Sequence, residues 1–132
     1  MSYFSKKKVF ISFDFNHDED LKNLFCGQAK HPDTPFEITD VSVKQALPGD
    51  WKAKARQKIK NAEQVVVICG EYTHTATGVS AEVEMAQEEG KPYFLLWGRP
   101  NCTCTKPTGA YQADKIYKWT WDHVTSLLHG NR

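Results

Sequence analysis

Gln64-Val65-Val66-Val67-Ile68-Cys69-Gly70, followed by the polar stretch Glu71 to Gly78, Val79 to Glu89, and then Pro92-Tyr93-Phe94-Leu95-Leu96-Trp97, decides the fold. The first run is apolar without alternation, as a strand covered on both faces requires. Val79 to Glu89 carries apolar residues at helical spacing, and Pro92 to Trp97 returns to a continuous apolar run. Strand, loop, helix and strand in that order predict a parallel crossover unit. In such sheets the loops at the carboxyl ends of the strands line the ligand crevice. Glu82, in the first turns of the helix, therefore falls at the lip of that crevice.

The same alternation extends both ways. Lys8-Val9-Phe10-Ile11-Ser12-Phe13 reads as a first buried strand, with a helix from Glu19 to about Ala29 that Asp18 or Asn16 can cap. Phe36 to Asp40 alternates as an edge strand. Pro48-Gly49 is a turn, and Asp50 caps a helix over Trp51 to Asn61 with the stripe Trp51, Ala55, Ile59 and Ala62. Gly98 to Tyr111 is a long loop, Lys115 to Trp119 a short fifth strand, and Asp122 opens a last helix. The expected fold is an α/β three-layer sandwich of flavodoxin-like type, with a mostly parallel five-stranded sheet in the order 2-1-3-4-5. All 132 residues are expected to form one domain.

Composition narrows the function classes. The chain is 40% hydrophobic and 25% charged with a net charge of +1, so nothing drives it toward nucleic acid or a membrane surface. Lys6-Lys7-Lys8 reads as a solvated strand edge. No run approaches the roughly 20 apolar residues of a membrane span, and Met1 to Phe10 lacks a signal-peptide core, so a cytoplasmic location is expected. Cys26 and Cys69 read as buried hydrophobes. Cys102 and Cys104, in Cys-x-Cys, do not have the spacing of redox or zinc motifs and read as incidental loop thiols, so no metal is expected.

Each chemical candidate has a plainer alternative. On a helical wheel Glu82 lies about 70° from a stripe of Val79, Val83, Ala86 and Gly90, a boundary position, while Glu84 and Glu88 point away. A capping box would need Ser or Thr at Val79, which leaves charge–dipole placement as the structural alternative. Thr75 to Ser80 resembles a phosphate-cradling helix entry, but it follows the third strand rather than the first, which disfavours FMN. Cys69-Gly70-Glu71 lacks the aspartate of a phosphorelay receiver. No Gly-x-Ser-x-Gly is present, and the scattered histidines, His17 among them, read as surface residues.

The order of motifs resembles a TIR (Toll/interleukin-1 receptor) domain. Val9-Phe10-Ile11-Ser12-Phe13 is similar to that family's first box. Leu47-Pro48-Gly49-Asp50-Trp51 resembles its turn after the second strand, and Lys58 to Ala62 leading into Val65 to Ile68 resembles its second helix entering the third strand. Glu82 lies twelve residues after Gly70, the offset of the family's helix glutamate. The compact form looks most like the bacterial TIR-like proteins of Thoeris-type antiphage defence. The resemblance covers about residues 7–97 and departs in three places. Gly70 replaces a serine, Gly78-Val79 replaces a Trp-Cys pair, and Asp14, Asn16 and Asp18 replace a basic first loop.

The resemblance implies an NAD-cleaving enzyme, a glycohydrolase or ADP-ribose cyclase making a nucleotide signal for a separate effector. NAD would be the substrate, with no tightly bound cofactor. Glu82 would be catalytic, and Ser12, Phe13, Asp14, Asp40, Ser42 and Trp51 would line the substrate site, Trp51 also being a packing candidate. A non-catalytic interaction module, self-associating through the Pro48-Gly49 loop, is the alternative.

Overall fold

The computed structural model describes residues 7–31, 34, 36–41 and 51–128, without the side chains of residues 39–41. Chain order is β1 (Lys7–Ser12), α1 (Glu19–Ala29), β2 (Phe36–Val41), α2 (Trp51–Asn61), β3 (Gln64–Cys69), a 3-10 turn (Thr73–Thr75), α3 (Thr77–Glu88), β4 (Tyr93–Trp97), β5 (Ile116–Lys118) and α4 (Trp121–Leu128). The strands form one sheet in the order β2-β1-β3-β4-β5, every pairing parallel, as the sequence predicts.

Strand alternation divides the core in two, because successive side chains point to opposite faces. Phe10, Val65, Val67, Cys69 and Leu95 pack with Ala55 and Ile59 of α2 and Val79, Val83 and Ala86 of α3. Val9, Ile11, Val66, Ile68, Phe94 and Leu96 pack on the other face with Leu21 and Phe25 of α1 and Val124, Leu127 and Leu128 of α4. All six residues of β3 are buried. Each fully buried Val or Ile side chain stabilises the fold by about 1.5–3 kcal/mol, which explains the unbroken apolar run.

The structure differs from the sequence reading at several places. α3 starts two residues early, at Thr77, behind a 3-10 turn within the expected loop. β5 is limited to three residues. Cys26 is half-buried, whereas Cys69 is buried as expected. Cys104 is buried within its loop, and its Sγ receives the Arg99 N–H at 3.4 Å. Burial pushes both the Cys69 and the Cys104 thiols up, so neither is poised as a thiolate. Asp50, the expected cap of α2, lies outside the described residues.

Asp18 sits at the N-cap of α1, but its side chain makes no capping bond. It turns inward, 1% exposed, and its Oδ1 accepts from Arg99 Nε at 3.2 Å. Arg99 also donates to Asp20 at 2.7 Å and to the His17 carbonyl at 2.8 Å. The bond to Arg99 is charge-assisted on both sides, whereas a cap would set the carboxylate against neutral backbone N–H groups. Desolvation pushes the Asp18 carboxyl up against the opposing pull of Arg99. Asp18 Oδ2 has no partner.

The Asp18 carboxylate occupies the space that a side chain at Gly70 would need. A β-carbon at Gly70 would collide with both carboxylate oxygens, which burial and Arg99 hold in place. The glycine at the end of β3 and the acidic first loop are therefore one structural exchange. Gly70→Ser is expected to cost about 1–3 kcal/mol through overpacking, and Asp18→Ala in the same chain is expected to recover part of that loss. A double-mutant cycle by urea denaturation checks it; strictly additive losses would contradict the shared-space account.

Candidate active site

β1 brings Ser12 to its carboxyl end, pointing toward α2 and α3 in the same alternation as Phe10. α3 brings Glu82 to the same place. Ser12 Oγ donates to Glu82 Oε1 at 2.7 Å, and the two residues are 0% and 2% exposed. Glu82 is thus buried rather than at a boundary. The wheel reading went astray at Met85, which is also buried. Val79, Glu82, Val83, Met85 and Ala86 span an arc of about 160° at 100° per residue, and Glu82 lies near its middle. Glu84 and Glu88 are exposed, as expected.

A carboxylate out of water is costly unless hydrogen bonds replace its hydration. A glutamate on the buried face of a helix is therefore a poor structural filler, and its pairing with Ser12 is specific to this sheet edge. The neighbourhood is braced. The loop between β4 and β5 lies across the start of α3, with Ser80 Oγ and Thr108 Oγ1 2.9 Å apart and Gly109 so close to the Ser80 carbonyl that a β-carbon would meet it at 2.6 Å. Gln87 Nε2 donates to the Gly109 carbonyl at 2.9 Å, and the Tyr93 hydroxyl donates to Asp114. Lys106 Nζ donates to the carbonyls of Tyr111, Gln112 and Asp114. This long loop is therefore an ordered brace on the helix that carries Glu82.

The other candidates divide. Asp14 lies at the same sheet edge, 6% exposed, and pairs through Oδ2 with His17 Nδ1 at 2.7 Å. Phe13 alternates to the opposite face, where it is buried with Phe25 and Leu21 and is not brought to Glu82. Trp51 packs half-buried on the α2–α3 core with Ala55 and Ile59. Asp40 stands in β2 opposite Phe10, its side chain outside the description. Ser42 and Pro48-Gly49 lie outside the described residues. His17 reads from the sequence as a surface residue, and nothing local marks Tyr72 or Arg99; the one hint was the three-residue spacing from Asp14 to His17.

Two hollows lie elsewhere. One of about 820 Å³ is lined by Leu24, Gln28, Trp97, Pro100, Ile116 and Trp119, and its neighbour by Leu24, Gln28, His31 and Trp121. Neither includes Ser12 or Glu82. Among the described residues no cluster of three or more His, Cys, Asp or Glu side chains could hold a metal ion, and no helix is long and apolar enough to cross a membrane.

An all-parallel sheet of this order, with a helix carboxylate at its carboxyl edge, is a TIR-like α/β arrangement. The family profile described as Thoeris protein ThsB, TIR-like domain, matches residues 10–99, well over half of the chain, and the chain belongs to that family. No relative among curated proteins matches. The match spans both β1 and α3, so Ser12 and Glu82 fall inside it.

Ser12→Ala removes one hydrogen-bond donor from the buried Glu82 carboxylate and is expected to destabilise the fold by about 1–3 kcal/mol. Urea denaturation checks this; an unchanged midpoint would mean that water or another group takes over the bond at no cost.

Proposed function

We propose that the chain is a TIR-like NAD-cleaving enzyme, a glycohydrolase or ADP-ribose cyclase whose nucleotide product signals to a separate effector in antiphage defence. The observation that carries the reading is the buried Glu82 carboxylate held by Ser12 at the carboxyl edge of a parallel sheet. Family membership supports the setting. NAD is the substrate, and no tightly bound cofactor is invoked. The protein acts in the cytoplasm, where NAD is abundant.

The chemistry asks little of the protein. Nicotinamide is cationic within NAD and leaves neutral, so the departing group needs no proton. Cleavage passes through an oxocarbenium-like transition state, as in glycoside hydrolysis. A carboxylate accepting from a ribose hydroxyl orients the sugar and stabilises the positive charge that develops on it. Ser12 already shows what kind of donor Glu82 Oε1 accepts; a ribose hydroxyl takes that place when substrate enters. One carboxylate suffices for bond breaking.

The non-catalytic alternative, self-association through the Pro48-Gly49 loop, rests on residues outside the description. Incubation of the purified protein with NAD tests the enzymatic reading through nicotinamide release. Wild type is expected to release nicotinamide, and Glu82→Ala to lower the rate by about 10²-fold or more, the scale of losing a main electrostatic group. Equal rates in the two proteins, zero included, would reject a catalytic Glu82.

A further inference from the structure

His17 is a half-exposed histidine that the structure nevertheless fixes from several sides. Its Nδ1 lies 2.7 Å from Asp14 Oδ2, with the imidazole 45% exposed and the aspartate 6%. Its ring packs in a tilted arrangement against Tyr72, with centroids 4.5 Å apart and planes at 33°. Its carbonyl accepts from Arg99 at 2.8 Å, and its N–H donates to the Asp14 carbonyl at 3.2 Å. Asp14 is fixed in turn by the Asn16 N–H on Oδ1 at 3.1 Å. Tyr72 is fixed by its carbonyl, which accepts from Thr75 N and Oγ1. A hydrogen bond and a ring contact thus hold the imidazole on two sides.

The position matters as much as the rigidity. Asp14 is two residues beyond Ser12, and Tyr72 two beyond Gly70. β1 and β3 are adjacent, with Ser12 opposite Val67. The Asp14–His17–Tyr72 group therefore stands over the carboxyl ends of these two strands, the edge that holds the Ser12–Glu82 pair. With β2 and β3 on either side of β1, this is the point where the strand order reverses, the favoured ligand crevice of such sheets. An ionised carboxylate only accepts hydrogen bonds, so this contact selects, for the neutral imidazole, the tautomer with its proton on Nδ1. Nε2 then carries a lone pair, and among the described residues nothing engages it. An aspartate orienting an imidazole in this tautomer is the arrangement of a general base.

We infer that His17 is the general base for the second half of the reaction, with Asp14 its positioning residue; this rests on the NAD-cleaving reading above. The bond between the ribose anomeric carbon and nicotinamide breaks, and its electron pair leaves on neutral nicotinamide. An oxygen lone pair of the attacking hydroxyl, from water or from a sugar, forms the new bond to that carbon. The hydroxyl proton passes to His17 Nε2, and the resulting imidazolium is balanced by Asp14. The exposed ring edge then returns the proton to solvent. Glu82 supports the breaking bond, and His17 serves the forming one.

The test compares wild type with His17→Gln on NAD, with and without sodium azide, an anion that attacks without losing a proton. The variant is expected to form oxygen-linked products about 10²-fold or more slowly, the lower end of general-base contributions. Azide is expected to restore nicotinamide release to near the wild-type rate, with an azido-ribosyl product. Undiminished oxygen-linked product in the variant would overturn the role. Equal loss of the azide product would also overturn it, since that marks mere structural damage. Long-range proton–nitrogen NMR of wild type supplies a readout independent of turnover: Nδ1-protonated His17 is expected, and the Nε2-protonated tautomer would overturn the base role alone. A wild type that releases no nicotinamide with either nucleophile overturns the NAD-cleaving reading, and this role with it.

Discussion

The hydrogen bond from Ser12 Oγ to Glu82 Oε1 joins the end of β1 to the first turns of α3, and the site is organised around it. Both groups are buried, so each is expensive to leave unmet. The pairing requires that Ser12 point toward α3, which the alternation along β1 provides by sending Val9, Ile11 and Phe13 to the other face. It also requires that α3 turn the middle of its buried arc toward the strand ends. Met85 and Val83 on either side of Glu82 set that orientation. A one-residue slip of β1 would replace the hydroxyl with an aromatic ring, since strand side chains reverse face with each residue.

A second constraint lies in the loops beyond the carboxyl ends of the strands. Arg99, at the start of the loop after β4, gathers Asp18, Asp20 and the His17 carbonyl. This closes the first loop over Gly70 and ties the His17 backbone to the loop after β4. The loop then continues to brace α3 through Thr108, Gly109 and Gln87. One segment thus steadies both the loop after β1 and the helix bearing Glu82. The acidic first loop and the glycine at the end of β3, which depart from the wider TIR pattern, fit each other sterically.

Much of the architecture was legible in the sequence because it rests on unbroken apolar runs. Val65 to Ile68 and Tyr93 to Leu96 are buried on both faces and admit few other readings. The stripe Ala55, Ile59 and Ala62 likewise announced the packed face of α2. Glu82 could be singled out, but its burial could not, because a glutamate between Ala81 and Val83 looks like the edge of an apolar stripe until Met85 is known to face inward. The sequence places Phe13 in the lining of the site because strand phase at the end of β1 is ambiguous by one position, and the structure turns it to the other face. Asp18 was read as a helix cap because local rules favour that bond; Arg99, 81 residues away in sequence, outcompetes it. The Asp14–His17–Tyr72 group also depends on contacts between separate elements, which no local pattern encodes.

The chain belongs to the ThsB TIR-like family, and its structure places a hydrogen-bonded carboxylate and an oriented imidazole at one sheet edge. The central claim is that this edge receives the ribose next to nicotinamide. A crystal structure of the Glu82→Gln protein with NAD addresses it most directly. The account predicts the ribose hydroxyls within hydrogen-bond distance of residue 82, at the carboxyl ends of β1 and β3. NAD seated instead in the hollow between Trp97 and Trp119, with the ends of β1 and β3 empty, would contradict it.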